Sequence, residues 1–328
     1  MKRFFLLVLT LGILLGSVTD AAAAAPGGKY AKVQQEQDAS AAFMTGVVCS
    51  LLGRIVPEEP ESPEAEISRS MRAKYWGLPE NIAWIENPET NEDIENNILF
   101  SFLNGNYSFR FENLTSKQAD WLAEQVSKEW YIKRLACSYP ELAGALANVF
   151  AGYGEYVSDD RQGYFFIDFP QMERKEITDD MLYRQQLDAL DEALSISKKL
   201  HEDGTIQDGM SQMEIAAVYY KYLRKLDVQP GGGADVVETG ETALLDSAWA
   251  CLINKKVDCV GRAAGFNLLM HIEGISAQGV RGSVQGTNSG HVLSRVILND
   301  EEYFCDWGND LEILPREEFA EQYQFDFD

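Results

Sequence analysis

Val257-Asp258-Cys259-Val260-Gly261-Arg262-Ala263-Ala264-Gly265-Phe266-Asn267-Leu268-Leu269-Met270-His271-Ile272-Glu273-Gly274-Ile275 is the stretch whose reading decides the fold. Ala263, Phe266 and Met270 share one face at helical spacing. Asp258 suits the N-cap and Gly274 the C-terminal stop, so the pattern predicts a helix with Cys259 in its first turn. A lone cysteine is most often a small apolar filler. In a first turn, however, it sits among backbone N–H groups that lack intrahelical partners. Those groups favour an anion and can hold an oxyanion that develops beside it. The neighbouring Asp258 carboxylate acts against a thiolate.

Downstream, His291-Val292-Leu293-Ser294-Arg295-Val296-Ile297-Leu298 and Tyr303-Phe304-Cys305-Asp306-Trp307 flank Asn299-Asp300-Glu301-Glu302, the pattern of a β-hairpin. A two-residue loop at Asn299-Asp300 brings Asp306 opposite Leu293, and a four-residue loop brings it opposite Arg295. Either partner shares a face with His291, because strand side chains alternate. With the tighter loop, His291 and Asp306 are diagonal neighbours about 7–8 Å apart at the backbone, and their side chains can meet. A carboxylate beside an imidazole orients the ring and stabilises its charged form. Two other histidines are present. His271 ends the helix that Cys259 starts, roughly 18 Å away at the helical rise. Like His201, it reads as a cation near a helix C-terminus.

In this order and with these flanks, the segments are similar to the microbial branch of the transglutaminase-like superfamily. That family's pattern is G-V-C-x-G-Y-A, then H-A-W-N-x-V, then W-Y-x-V-D. The matching segments are 257–263, 290–296 and 303–306. Residues 215–226 resemble the helix before the family's active site, and Ser247-Ala248-Trp249-Ala250 resembles its S-A-Y-G element; the resemblance covers about residues 205–315. It implies an α+β, papain-like (transglutaminase core) fold, with the Cys helix packed on an antiparallel sheet. It implies acyl transfer at an amide through a thioester, with no cofactor. Cys259 is then the nucleophile, His291 the general base and acid, and Asp306 the residue that orients His291.

This sequence departs from the pattern at the rim. Arg262 replaces Tyr, Val292-Leu293 replaces Ala-Trp, Ser294 replaces Asn, and Trp307 follows Asp306 directly. Trp249, Leu293 and Gln285 are the candidate substrate-binding residues. With Leu293 in place of an aromatic wall, a wetter cleft is expected, in which water outcompetes an amine. The resulting expectation is a cysteine peptidase or amide hydrolase with a polypeptide substrate. The alternatives are a protein-crosslinking transglutaminase and an inactive domain used in adhesion or envelope scaffolding.

The rest of the chain supplies context. Lys2-Arg3, an apolar run at residues 4–15 and the alanines at 21–25 read as a signal peptide, so a secreted or envelope location is expected, with no integral span after cleavage. A helix and an acidic, Pro-rich linker are expected at residues 26–66, a small α+β N-terminal module at 67–200, and the catalytic domain at 201–328. Within the module, residues 99–111 read as a hairpin turning at Asn104-Gly105, 115–131 as a helix, and 163–169 as a strand. Helices are expected at 178–201 and 211–226. Asp and Glu total 52 against 28 Lys and Arg, a net charge of −24. Such a surface repels phosphate backbones and anionic lipid, so nucleic acid is not expected as a partner. The five cysteines show no C-x-x-C, and no H-x-x-x-H occurs, so no metal site is expected. Cys259 is expected free, with Cys251 and Cys305 as the pair nearest to bridging.

Overall fold

The computed structural model describes residues 68–328, apart from 108, 112–113, 128–129, 145–149, 158–160, 169–178, 227, 231–245, 285–289, 310, 322 and 326–328. The expected signal peptide, and the helix and Pro-rich linker expected at 26–66, lie outside the described residues, as does Gln285. Among the described residues, no helix is long and apolar enough to cross a membrane.

Helices and antiparallel strands are mixed along the chain in an α+β arrangement. The helices α1 (Arg69–Tyr75) and α2 (Asn91–Leu103) come first, followed by strand β1 (Phe109–Phe111). Next are α3 (Ser116–Ser127), α4 (Trp130–Ser138) and the short α5 (Pro140–Ala143). Strands β2 (Phe150–Val157) and β3 (Arg161–Asp168) form an antiparallel sheet with β1 in the order β1-β3-β2. Two helices follow, α6 (Asp179–Glu202) and α7 (Gln212–Lys225). The hairpin expected around Asn104-Gly105 is instead the end of α2. Thr90 and Asp93 form a capping box at its start, and Ile94, Ile98 and Phe102 recur at i+4 as fully buried side chains. Gly105 takes a φ of +70° just past the helix end, the conformation a glycine supplies most cheaply. A turn-like Asn-Gly is common to hairpins and helix ends, and here the burial of the helical face decides between them.

A parallel pair, β4 (Gln229–Pro230) with β5 (Lys256–Val257), leads into α8 (Cys259–Ile272). Nearly every residue of α8 is buried, as in a helix that is apolar all round and sits in the core. Against it lies a five-stranded antiparallel sheet, ordered β10-β6-β7-β8-β9. Its strands are β6 (Ala277–Val284), β7 (Gly290–Leu298), β8 (Glu301–Asp306), β9 (Leu311–Pro315) and β10 (Tyr323–Phe325), with α9 (Arg316–Ala320) between the last two. One apolar core contains Ala73, Ile98, Leu122 and Leu190 together with Phe266, Leu268 and Val296, so residues from the first helices and from α8 are buried together.

Two close approaches fix the surroundings of α8. A Cβ at Gly279 of β6 would stand 1.7 Å from the Cys137 carbonyl, so only glycine lets β6 meet α4 there. At the far end of α8, Glu273 accepts from Ser197 (2.7 Å), Tyr219 (2.5 Å) and His201 (3.1 Å), which ties α6 and α7 to the helix C-terminus.

Candidate active site

Asp258 caps α8 in extended conformation, its carboxylate accepting from the Gly261 N–H at 3.1 Å. Cys259 is the first helical residue and is half-buried against Ala136, Cys137, Val260, Ala263 and Val292. The first intrahelical bond runs from the Arg262 N–H to the Asp258 carbonyl (3.0 Å). With Gly261 taken by the cap, the N–H groups of Cys259 and Val260 are the first-turn donors left to face a ligand.

The hairpin carries the histidine and the carboxylate. Leu298 pairs with Glu301, so the loop is the two-residue Asn299-Asp300, and both loop residues have positive φ (53° and 65°), the type I′ geometry that suits strand twist. In this register Arg295 faces Phe304, and its guanidinium pairs with Glu302 at 3.1 Å. His291 is the second residue of β7 and Asp306 the last of β8. His291 Nε2 lies 2.7 Å from Asp306 Oδ2, with Asp306 buried and the ring only partly exposed. Asp306 thus engages Nε2, and the Cys259 side chain also hydrogen-bonds the ring. Burial works against a charge on His291. The hydrogen bonds from Asp306 and Cys259, and the charges of both, outweigh it and push the imidazole up to about 10. Cys259, His291 and Asp306 therefore meet at the start of α8.

The other residues singled out in the sequence fall elsewhere. Leu293 is 2% exposed in a separate cluster with Val280, Phe304 and Phe319, and Val292 is the β7 residue packed against Cys259. The expected Leu293 wall is therefore core packing. Trp249 is half-buried against the main core, just before a π-helical turn at Ala250–Asn254. Cys251 and Cys305 are free thiols, not a bridge. Cys251 lies under Gly265 of α8, while Cys305 sits in β8 opposite Ser294. Burial pushes Cys251 up to about 12 and Cys305 upward as well, as for inert core thiols. Among the described residues, no cluster of His, Cys, Asp and Glu could hold a metal ion.

His271 is also not the surface cation its position suggested. It is 6% exposed, and burial, the largest influence, drives it below the usual histidine range. Nδ1 lies 3.1 Å from the Tyr75 carbonyl, and Nε2 accepts from the Ala277 N–H at 3.2 Å. Helical spacing cannot reveal that α1 and β6 close over this end of α8.

Beside His271, Glu141 is buried, and burial pushes its carboxyl up to about 8. Asn267 satisfies its neighbours when its amide nitrogen donates to Ser294 Oγ (2.7 Å) and the Ala263 carbonyl (3.3 Å), and its oxygen accepts from the Gly279 N–H (3.1 Å). The amide oxygen then occupies the position 3.3 Å from Glu141 Oε2, and only a protonated carboxyl can donate to it. A carboxyl raised above its unfolded value of 4.5 stabilises the fold fully at low pH and loses that contribution as pH rises through about 8. Glu141→Gln keeps the donor without the titration. It is expected to raise stability at pH 8 by about 4 kcal/mol and to flatten the part of the decline that lies between pH 6.5 and 8, measured by denaturant unfolding. The depressed His271 contributes the opposite slope, below pH 6.5. An unchanged slope above pH 6.5 would assign the titration to another group.

No family model matches the sequence, and no curated protein matches it. Solved structures that the chain matches include a transglutaminase (TM-score 0.30, 11% identity) aligned over 62% of this chain and 51% of the other. They also include a Cytophaga hutchinsonii protein proposed to be a cysteine protease (TM-score 0.26, 14% identity), aligned over 51% of this chain and 68% of the other. The chain thus spans about half the length of that transglutaminase.

Proposed function

We propose that this chain is a papain-like, transglutaminase-related cysteine hydrolase that cleaves amide bonds in polypeptides outside the cytoplasm, through a thioester on Cys259. The observation that carries this reading is the His291 ring, held by Asp306 at 2.7 Å on one nitrogen and hydrogen-bonded to Cys259, the first residue of a helix. In the active form the proton that Cys259 and His291 share sits on the imidazole, and the Cys259 sulfur attacks the carbonyl carbon. The carbonyl electrons move to oxygen, where the N–H groups of Cys259 and Val260 receive the charge. The C–N bond breaks as His291 protonates the departing amine, leaving the thioester. Water then gives a proton to His291 and attacks the thioester, which releases a carboxylate and the Cys259 thiolate. Asp306 orients the ring throughout. Water is favoured as the acceptor because Cys259 and His291 are both partly exposed to solvent. The export reading rests on residues 1–25, and N-terminal sequencing of the mature protein should begin near Ala24–Pro26; a chain that still starts at Met1 would count against it.

The assay offers a protein substrate together with a labelled primary amine. New chain termini should exceed amine incorporation at least about tenfold, with both lost in Cys259→Ser. Dominant incorporation would make the chain a crosslinking enzyme instead.

A further inference from the structure

Asp306 ends β8 at an irregular place in its sheet. The β7–β8 register runs from Leu298↔Glu301 to Ser294↔Cys305, so Asp306 stands one residue past it. On the other side Asp306 pairs with Leu311 of β9, just past a register shift that begins at Phe304. A carboxylate that aims an imidazole has to be held within a few tenths of an ångström. The next residue ties this strand end to two helices. Trp307, 3% exposed, donates its indole N–H to the Arg262 carbonyl at 3.0 Å, in the first turn of the helix that Cys259 opens. The Arg262 guanidinium lies over the indole ring, 4.8 Å from its centroid. The Trp307 carbonyl accepts from Arg224 of α7 at 2.9 Å. The Arg262 side chain also runs across Gly308, where a Cβ would come within 2.7 Å of Cδ and 2.9 Å of Nη1.

We propose that Trp307, clasped by Arg262, is a positioning residue: it locks the strand end that carries Asp306 to the helix turn that carries Cys259, and so sets the aim of His291. The inference rests on the proposed reaction. It also accounts for two departures from the family pattern together, since Arg262 supplies the lid for the indole that directly follows Asp306. The effect of Arg262 and Trp307 passes through the position of Asp306.

Two variants test the clasp. Trp307→Phe keeps a ring beneath Arg262 but removes the indole donor. Gly308→Ala leaves the indole and pushes Arg262 off it. The direct readout is the titration of the His291 imidazole by NMR, in a chain with only two other histidines. In both variants the His291 midpoint should fall by about one pH unit or more, since the carboxylate that holds its proton moves away. Turnover should fall about tenfold in kcat, with KM within about twofold, because the chemistry and not substrate binding is misaligned. Thermal unfolding monitors the fold. If Trp307→Phe does not fold, Gly308→Ala decides alone. An unmoved His291 midpoint, with or without a lower Tm, reduces Trp307 to core packing and overturns the proposal. The midpoint is independent of turnover. Should Cys259→Ser keep wild-type turnover, the reaction reading fails while the clasp is still judged by the imidazole.

Discussion

Cys259→Ser is expected to lose about four orders of magnitude or more in amide cleavage while keeping the wild-type fold. The exchange is nearly isosteric, and Cys259 is only half-buried at the edge of a small apolar cluster, so little packing changes. What changes is the nucleophile. A hydroxyl beside His291 gives up its proton far less readily than a thiol, and the first-turn N–H groups offer the oxygen no comparable gain. The buried thiols provide the comparison. Cys251→Ser and Cys305→Ser put a hydroxyl into fully buried sites, so they should cost stability and leave turnover per folded molecule unchanged. The measurement is release of new amino termini alongside Tm for the three variants. Turnover above about one per cent of wild type in Cys259→Ser would place the nucleophile elsewhere.

Asp306→Asn is expected to reduce kcat/KM by about 10²- to 10⁴-fold and to move the alkaline limb of the pH profile. His291 is pushed up to about 10 because, against burial, the Asp306 and Cys259 hydrogen bonds and charges favour the imidazolium. With its folded value above the unfolded 6.5, the charged ring contributes stability that is fully present below 6.5 and is lost as pH rises through about 10. The active pairing therefore survives across neutral pH, and wild-type kcat/KM should fall only on approaching pH 10. An amide at 306 can still accept a hydrogen bond from the ring, but it carries no charge to balance the imidazolium. The limb should then move down towards the ordinary histidine value, with Tm at pH 7 lowered. A profile over pH 5–11 for both proteins checks this, and a limb that stays put would remove Asp306 from the role assigned to it.

Much of the site was legible in the residues themselves, because its parts depend on short-range rules. Helical spacing with Asp258 before it and Gly274 after it located α8, and the first-turn position of Cys259 follows from the cap alone. Period-two alternation and the Asn299-Asp300 loop set the hairpin register, and with it the approach of His291 to Asp306. The helices starting near Ser116 and Asp179, and the one capped by Ser211, were equally local patterns.

Whatever depended on which surfaces meet was decided by the tertiary structure. Residues 99–111 carry an alternation that fits a strand, yet burial of Ile94, Ile98 and Phe102 on one side makes the first part of that stretch a helix. Alternation names the two faces of β7 but not what covers each, so Leu293 fell into the Phe304–Phe319 cluster while Val292 met Cys259. His271 looked like a helix-end cation until α1 and β6 buried it, and desolvation then costs its charged form more than the helix end returns. The contact between Trp307 and Arg262 joins residues 45 positions apart through a carbonyl that every residue possesses, so no side-chain pattern could announce it. By itself the sequence determined the helix that Cys259 opens and the hairpin that carries His291 and Asp306, since backbone periodicity and capping act within a few residues. The burial of His271, the free state of Cys251 and Cys305, and the clasp behind Asp306 arose only when distant segments packed, because desolvation and close contact belong to the assembled core.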